Sequence, residues 1–154
     1  MLANVGYGIL VVSFVVSLYG IVAAVYGGLK NRASWVESAR LSMLLTFPLI
    51  TVVVVIMEYM LVIGDYQMEF VYNVTSNSMP LYLKLTALWG GQAGSLVFWS
   101  WLLAAFASLV TLRKWQRDRE MLPYGIVVSL VTLVFFLALS VFVENPFTRF
   151  WADA

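Results

Sequence analysis

Two stretches of the chain contain residue types capable of chemistry. The first is Glu58, a carboxylate embedded in the apolar run ITVVVVIMEYMLVI at 50–63. An ionised carboxylate inside a bilayer costs roughly 3 kcal/mol or more, so an intramembrane acid is a candidate functional group with an expected partner. The alternative reading is anchoring: Glu58 lies one or two turns from a helix end, close enough to reach headgroups or pair with Lys84. The second stretch is TALWGGQAGSLVFWSW at 86–101, where a glycine-rich polar step runs directly into an apolar segment. A helix starting there would point its first backbone N–H groups at whatever sits in front of them, a site for a carboxylate or propionate. Gly90 and Gly94, with Gly91 and Ser95, also form the small-x-x-x-small pattern that lets membrane helices approach closely, and this packing reading has the greater weight.

The absences are equally informative. The 154 residues contain no histidine and no cysteine, which removes disulfides, thiolate nucleophiles, zinc sites and imidazole ligation from this chain. No catalytic or metal-binding set is expected. Thioethers such as Met57, Met60 and Met79 are the remaining soft donors for a haem iron, and a poor basis for one. A formal net charge of +1 gives no footprint for nucleic acid.

The elements that must position these residues are membrane helices. With 62% hydrophobic and 11% charged residues and a mean hydropathy of +0.91, the chain lies far from a soluble domain. Four segments, 5–29, 41–63, 92–112 and 122–143, are long enough to cross a hydrocarbon core about 30 Å thick. The first lacks the basic flank of a signal peptide and reads as a retained helix. Pro48 predicts a kink in the second, and the fourth, with only Ser and Thr as polar residues, reads as a plain lipid-facing span.

Basic residues set the orientation. Lys30, Arg32 and Arg40 follow helix 1, and Arg113, Lys114, Arg117 and Arg119 follow helix 3, whereas the other side has only Lys84 and Arg149. The excess places loops 30–40 and 113–121 in the cytoplasm, and both termini and the external segment 64–91 outside. The expected fold is all-α: a single membrane domain of four transmembrane helices, N-out and C-out, with helices 1 and 2 and helices 3 and 4 antiparallel neighbours.

Within the external segment, apolar residues alternate at Tyr66, Met68, Phe70 and Tyr72, which predicts an extended stretch. Pro80 then opens a short apolar helix, PLYLKLTALW, lying in the outer interface. Gly90 and Gly91 end that helix by adopting positive φ, and the transmembrane helix starts at Gln92.

The W-G-G-Q-A-G-S-L-V-F-W sequence at 89–99, preceded by Ser76-Asn77-Ser78-Met79-Pro80 and followed after helix 4 by Asn145-Pro146-Phe147, resembles the amino-terminal region of the CcmF/NrfE family of cytochrome c-type biogenesis proteins. That family carries His-Glu where this chain has Gln92-Ala93, and its members are several times longer. The resemblance implies a bacterial inner-membrane, multi-pass haem lyase subunit that presents haem to apocytochrome c for thioether formation on the periplasmic face. It implies haem b as cofactor with its ligands outside this chain. The implied partners are the remaining haem-lyase portion or chain, a haem-delivery protein and apocytochrome c, within the lipid bilayer. Trp89, Gly90, Gly91, Gln92, Gly94, Ser95, Trp99 and Trp101 then form one wall of the haem or partner site. The rival readings are a structural subunit of a respiratory or photosynthetic complex, and a small proton-coupled exporter using Glu58.

Overall fold

The computed structural model describes residues 1–112 and 120–150, and all their regular structure is helical. Four helices are long and apolar enough to cross a membrane: α1 (Leu2–Leu29), α2 (Ala33–Ile63), α5 (Gln92–Leu112) and α6 (Leu122–Ala138), the last continued by a π-helical turn, Leu139–Val143. Two short helices, α3 (Glu69–Val74) and α4 (Leu81–Thr86), lie between α2 and α5, and a 3-10 turn, Ala87–Trp89, extends α4. The long helices form a ring in which α1 touches α2 and α6, and α5 touches α2 and α6. The basic residues Arg113, Lys114, Arg117 and Arg119 lie outside the described residues.

Small residues make this ring possible. The buried stripe of α1 runs through Ala3, Gly6, Ser13, Ser17, Gly20, Ala23, Ala24 and Gly27, with Leu10 the one large member. Small residues let backbones approach, and dispersion rather than the hydrophobic effect then holds helices together in lipid. At Gly20 a Cβ would collide with Ser42 of α2, and at Gly27 it would come within 2.8 Å of the Val36 nitrogen.

The buried hydroxyls cost little because they bond within their own helices. Ser13, Ser17, Thr46 and Ser140 each donate to the carbonyl four residues earlier at 2.8–3.0 Å, and Ser42 donates to the Ala39 carbonyl at 2.7 Å. Helix α2 passes through Pro48 without interruption. Its outer end closes on Gly64, whose φ of 71° places it in the left-handed region a glycine adopts without strain.

Two sequence expectations change here. The fourth span is not simply lipid-facing: Ile126, Leu130, Leu133, Leu137 and Ser140 form a buried stripe against the ring, and only the opposite face is exposed. The 66–72 stretch is not a strand. Only Met68 pairs in an extended manner, in an antiparallel bridge with Arg149, and the chain then coils into α3. Helical spacing brings Phe70 and Val74 within about one turn of each other and both onto Gly91, whereas in a strand the same four-residue separation would span about 13 Å.

The bridge belongs to a clasp at the Gly64 end of α2. Glu69 N–H donates to the Thr148 carbonyl at 3.0 Å and Phe150 N–H to the Gln67 carbonyl at 3.2 Å. Asn145 Oδ1 accepts the Phe147 N–H at 2.9 Å, an Asx turn that precedes the bridge. The Phe147 ring is buried against Gly6, where a Cβ would strike it. Asn145-Pro146-Phe147 thus ties the end of the fourth span to α1 and to the segment after α2.

Asn145→Ala should lower stability by about 1 kcal/mol through loss of the turn bond. Gly6→Val should cost about 1–3 kcal/mol by displacing Phe147. Gly8→Val, whose Cβ meets nothing within 4 Å, is the control. Thermal unfolding in detergent reads all three.

Candidate functional site

The site is assembled at the start of α5. Its approach is α4, in which no residue is buried although Leu81, Tyr82, Leu83 and Leu85 are large and apolar. The 3-10 turn then buries Ala87 and Leu88 and leaves Trp89 outside. Gly90 has φ −76° and ψ −21°, an ordinary right-handed conformation. Among the described glycines only Gly64 has positive φ, so the expected left-handed release at Gly90 and Gly91 does not occur.

What the turn requires is the absence of a side chain. A Cβ on Gly94 would fall on the Leu88 carbonyl and into the Phe70 ring, and one on Gly91 would lie 2.8 Å from Val74. The first turn of α5 therefore folds back against the carbonyl end of the 3-10 turn, with α3 as its cover. Ser95 completes the junction: its Oγ donates to the Trp89 carbonyl at 3.0 Å, and its N–H donates to Gly91 at 3.0 Å. The small-x-x-x-small pattern is thus a packing device within this chain, between a turn and α3, rather than a seam between two membrane helices. Gln92 is exposed beside it.

The tryptophans divide into two groups. Trp89 and Trp99 are 51% and 57% exposed, whereas Trp101 is half-buried and donates from Nε1 to Thr51 Oγ1 of α2 at 2.9 Å. Trp101 also stacks on Phe47, with ring centroids 6.2 Å apart. Phe98 joins the set, lying 5.3 Å from Trp89, 6.3 Å from Trp99 and 6.2 Å from Trp101. A continuous aromatic ladder, Trp89–Phe98–Trp101–Phe47, therefore descends from the outer turn into the groove between α2 and α5. Sequence reading missed Phe98, Phe47 and Thr51. Phe98 stood inside the quoted motif, three residues before Trp101 and so on the same helix face, which was the available signal.

Glu58 has no neighbour of the expected kind. Its Oε2 is enclosed, and no hydrogen bond or ion pair reaches it from the described residues. The Lys84 pairing is thus not made; among the described residues the ion pair is Arg40 with Glu37 at 3.4 Å, at the opposite end of α2. Arg40 Nε also donates to the Thr111 carbonyl at 3.1 Å, placing a cation at the carbonyl end of α5.

The sequence supplies no histidine or thiolate to ligate haem iron. Of the thioethers Met57, Met60 and Met79, the first two are packed into the core, 1% and 3% exposed, and the third is half-buried in the segment before α4. The chain has an aromatic wall, a glycine-fitted turn and a clasp at the same end of the bundle.

Fold and site together define a polytopic, all-helical integral membrane protein whose distinctive surface is at one end of the bundle. No protein-family model matches the chain. It is 28% identical over 153 residues to the cytochrome c-type biogenesis protein CcmF of Haemophilus influenzae, covering 99% of this chain and 24% of that protein. It is 29% identical over 126 residues to the probable cytochrome c-type biogenesis protein NrfE of Escherichia coli, covering 80% of this chain and 23% of the relative. A solved structure of the cytochrome c haem lyase CcmF superposes with a TM-score of 0.85 at 22% identity, over 95% of this chain and 24% of that one, which shows a shared fold. The chain is a relative of the CcmF and NrfE cytochrome c-type biogenesis proteins and spans about a quarter of their length.

Gly94→Ala should destabilise the chain by about 2–3 kcal/mol, because the clash is with a backbone carbonyl that cannot move aside. Gly125→Ala, made where a Cβ meets nothing within 4 Å, should leave stability unchanged or slightly raised. Melting temperatures in detergent decide the contrast, and equal shifts would remove the turn from its structural role.

Proposed function

We propose that this chain is the amino-terminal membrane module of a cytochrome c haem lyase, helping to present haem to apocytochrome c for covalent thioether attachment. The observation that carries this reading is the likeness to CcmF and NrfE proteins, which runs through nearly the whole chain, includes the outer turn, and is matched by the fold. The relatives give no support to a proton-coupled exporter or to a respiratory or photosynthetic subunit. The module works in the bacterial inner membrane with the clasp, α4 and the Trp89 turn on the periplasmic side. There α4 lies in the outer interface, its apolar side chains meeting the acyl boundary and Lys84 reaching the headgroups.

The role of the chain is a wall, not a reaction centre. Thioether formation needs thiols from the apocytochrome and a haem held by ligands, and this sequence has neither histidine nor cysteine. Any haem b is ligated by the remaining haem-lyase portion, which, with a haem-delivery protein and the apocytochrome, completes the partner set. Exposed Trp89 and Trp99 supply flat apolar surface that orients a macrocycle or a partner without bonding to its iron. Gly90, Gly91, Gln92, Gly94 and Ser95 present the amino-terminal end of α5, whose dipole favours an anionic group such as a propionate.

The test is cytochrome c maturation in cells that depend on this chain. The double variant Trp89→Ala, Trp99→Ala should reduce haem-stained holocytochrome c by about tenfold, the loss of one or two kcal/mol of contact, with chain abundance unchanged. Wild-type yield from the double variant at normal abundance would remove the aromatic wall from the mechanism.

A further inference from the structure

We infer that the α2–α5 groove is the docking face for a further membrane helix, and that this helix presents an arginine or lysine to Glu58. The inference rests on the haem-lyase reading, which supplies the source of the helix: the part of a CcmF-like protein that this chain, at about a quarter of the relatives' length, does not contain.

Antiparallel register fixes the place of Glu58. Arg40 bonds the Thr111 carbonyl, Ser108 Oγ donates to the Met43 carbonyl, and Trp101 donates to Thr51, so α2 and α5 run past one another in steady steps. About two turns outward from Thr51 is Glu58, and the same distance outward from Trp101 is Gly94. Glu58 is therefore level with the first turn of α5. It also shares a helix face with Phe47 and Thr51, since 47, 51 and 58 are separated by about one and two turns. That is the face carrying the aromatic ladder, whose Phe47, Phe98 and Trp101 are half-buried.

The chemistry of the vacancy specifies the occupant. Every buried serine or threonine hydroxyl cited above is satisfied within the chain, whereas Glu58 Oε2 is enclosed with no partner among the described residues. Glu58 is half-buried, and its enclosed oxygen gives up water without gaining a hydrogen bond or counter-charge, which is costly. None of the N–H groups at the start of α5 bonds it. Nor does any basic group of the described residues: Arg40 is engaged with Glu37 and Thr111 at the far end of α2, and Lys84 makes no ion pair with it. A donor must come from outside these residues. At this depth beside an aromatic groove, a cationic side chain on a packed helix satisfies the carboxylate and covers the rings at once.

The experiment expresses this chain and the CcmF-like remainder encoded beside or after it as two tagged membrane polypeptides, and measures recovery of one with the other in mild detergent. Glu58→Lys and Glu58→Leu should lower recovery by about tenfold or more, Glu58→Asp much less, and Phe135→Leu on the exposed face of α6 not at all. In the isolated chain Glu58→Leu should leave the melting temperature unchanged or raise it, because an unpaired buried carboxylate has been removed. A fall in that temperature would mean that the chain itself satisfies Glu58, and would overturn the inference. Wild-type recovery with Glu58→Lys would also overturn it, leaving a lipid headgroup amine as the partner, while the haem-lyase reading stood. No recovery even with the wild-type chain would overturn both.

Discussion

The structure depends on one constraint: where a bundle of apolar helices breaks its regular backbone, the freed polar groups must find protein partners or water. The junction between α4 and α5 is the place where this chain must leave a helix and begin another. Its solution is to press the new helix against the carbonyl end of the old turn, with Gly94 at the contact, Ser95 bonding the Trp89 carbonyl and Phe70 lying over both. From that follow the need for α3, which carries Phe70 and Val74, and the need to hold α3 in place. The clasp at Asn145, Phe147 and Thr148 does the holding, through the Glu69–Thr148 bond and the Phe147 contact with Gly6. The outer cap is therefore a single unit built from three distant parts of the sequence.

Beneath the cap the bundle asks little of its polar residues. Hydroxyls bonded to their own helices present the neighbouring helix with methyl and methylene surface, so α1 can pack closely without an interhelical polar network. The two polar contacts that do cross from α2 to α5 by side-chain N–H, at Arg40 and Trp101, set the register of that pair. Interhelical bonds of this kind average only about 0.6 kcal/mol in membranes, so their contribution is alignment more than stability. Two enclosed polar atoms stand outside this economy, Glu58 Oε2 and the Tyr66 hydroxyl, neither of which meets a hydrogen-bond partner among the described residues.

The long helices were legible because twenty apolar residues in succession leave few alternatives, and the place where α5 begins could be read from the length of apolar chain behind it. The cap was not legible in the same way. Alternation at 66–72 mimicked a strand because two of the alternating residues, Met68 and Phe70, are indeed buried, but by a bridge and a helix respectively. Periodicity over so few residues does not separate these cases. Gly90 and Gly91 read as a source of backbone freedom, whereas what Gly91 and Gly94 supply is lack of volume, a property that becomes visible only when Leu88, Phe70 and Val74 are in place. The buried stripe of α6 was hidden because the helix is apolar all round, and a span without polar residues carries no signal of which side meets protein.

This division bears on how the likeness to the CcmF and NrfE proteins should be weighed. In the W-G-G-Q-A-G-S-L element, Gly91, Gly94 and Ser95 each meet a demand of the fold: two leave room for Val74, Phe70 or the Leu88 carbonyl, and one bonds the Trp89 carbonyl. Gln92 is exposed and bonds to no other described residue, whereas Ala93 packs half-buried against the core. By the resemblance read from the sequence, these are the positions where the family element would carry His-Glu. The shape of the junction rests on the glycines and the serine, and Gln92 adds no bond to it.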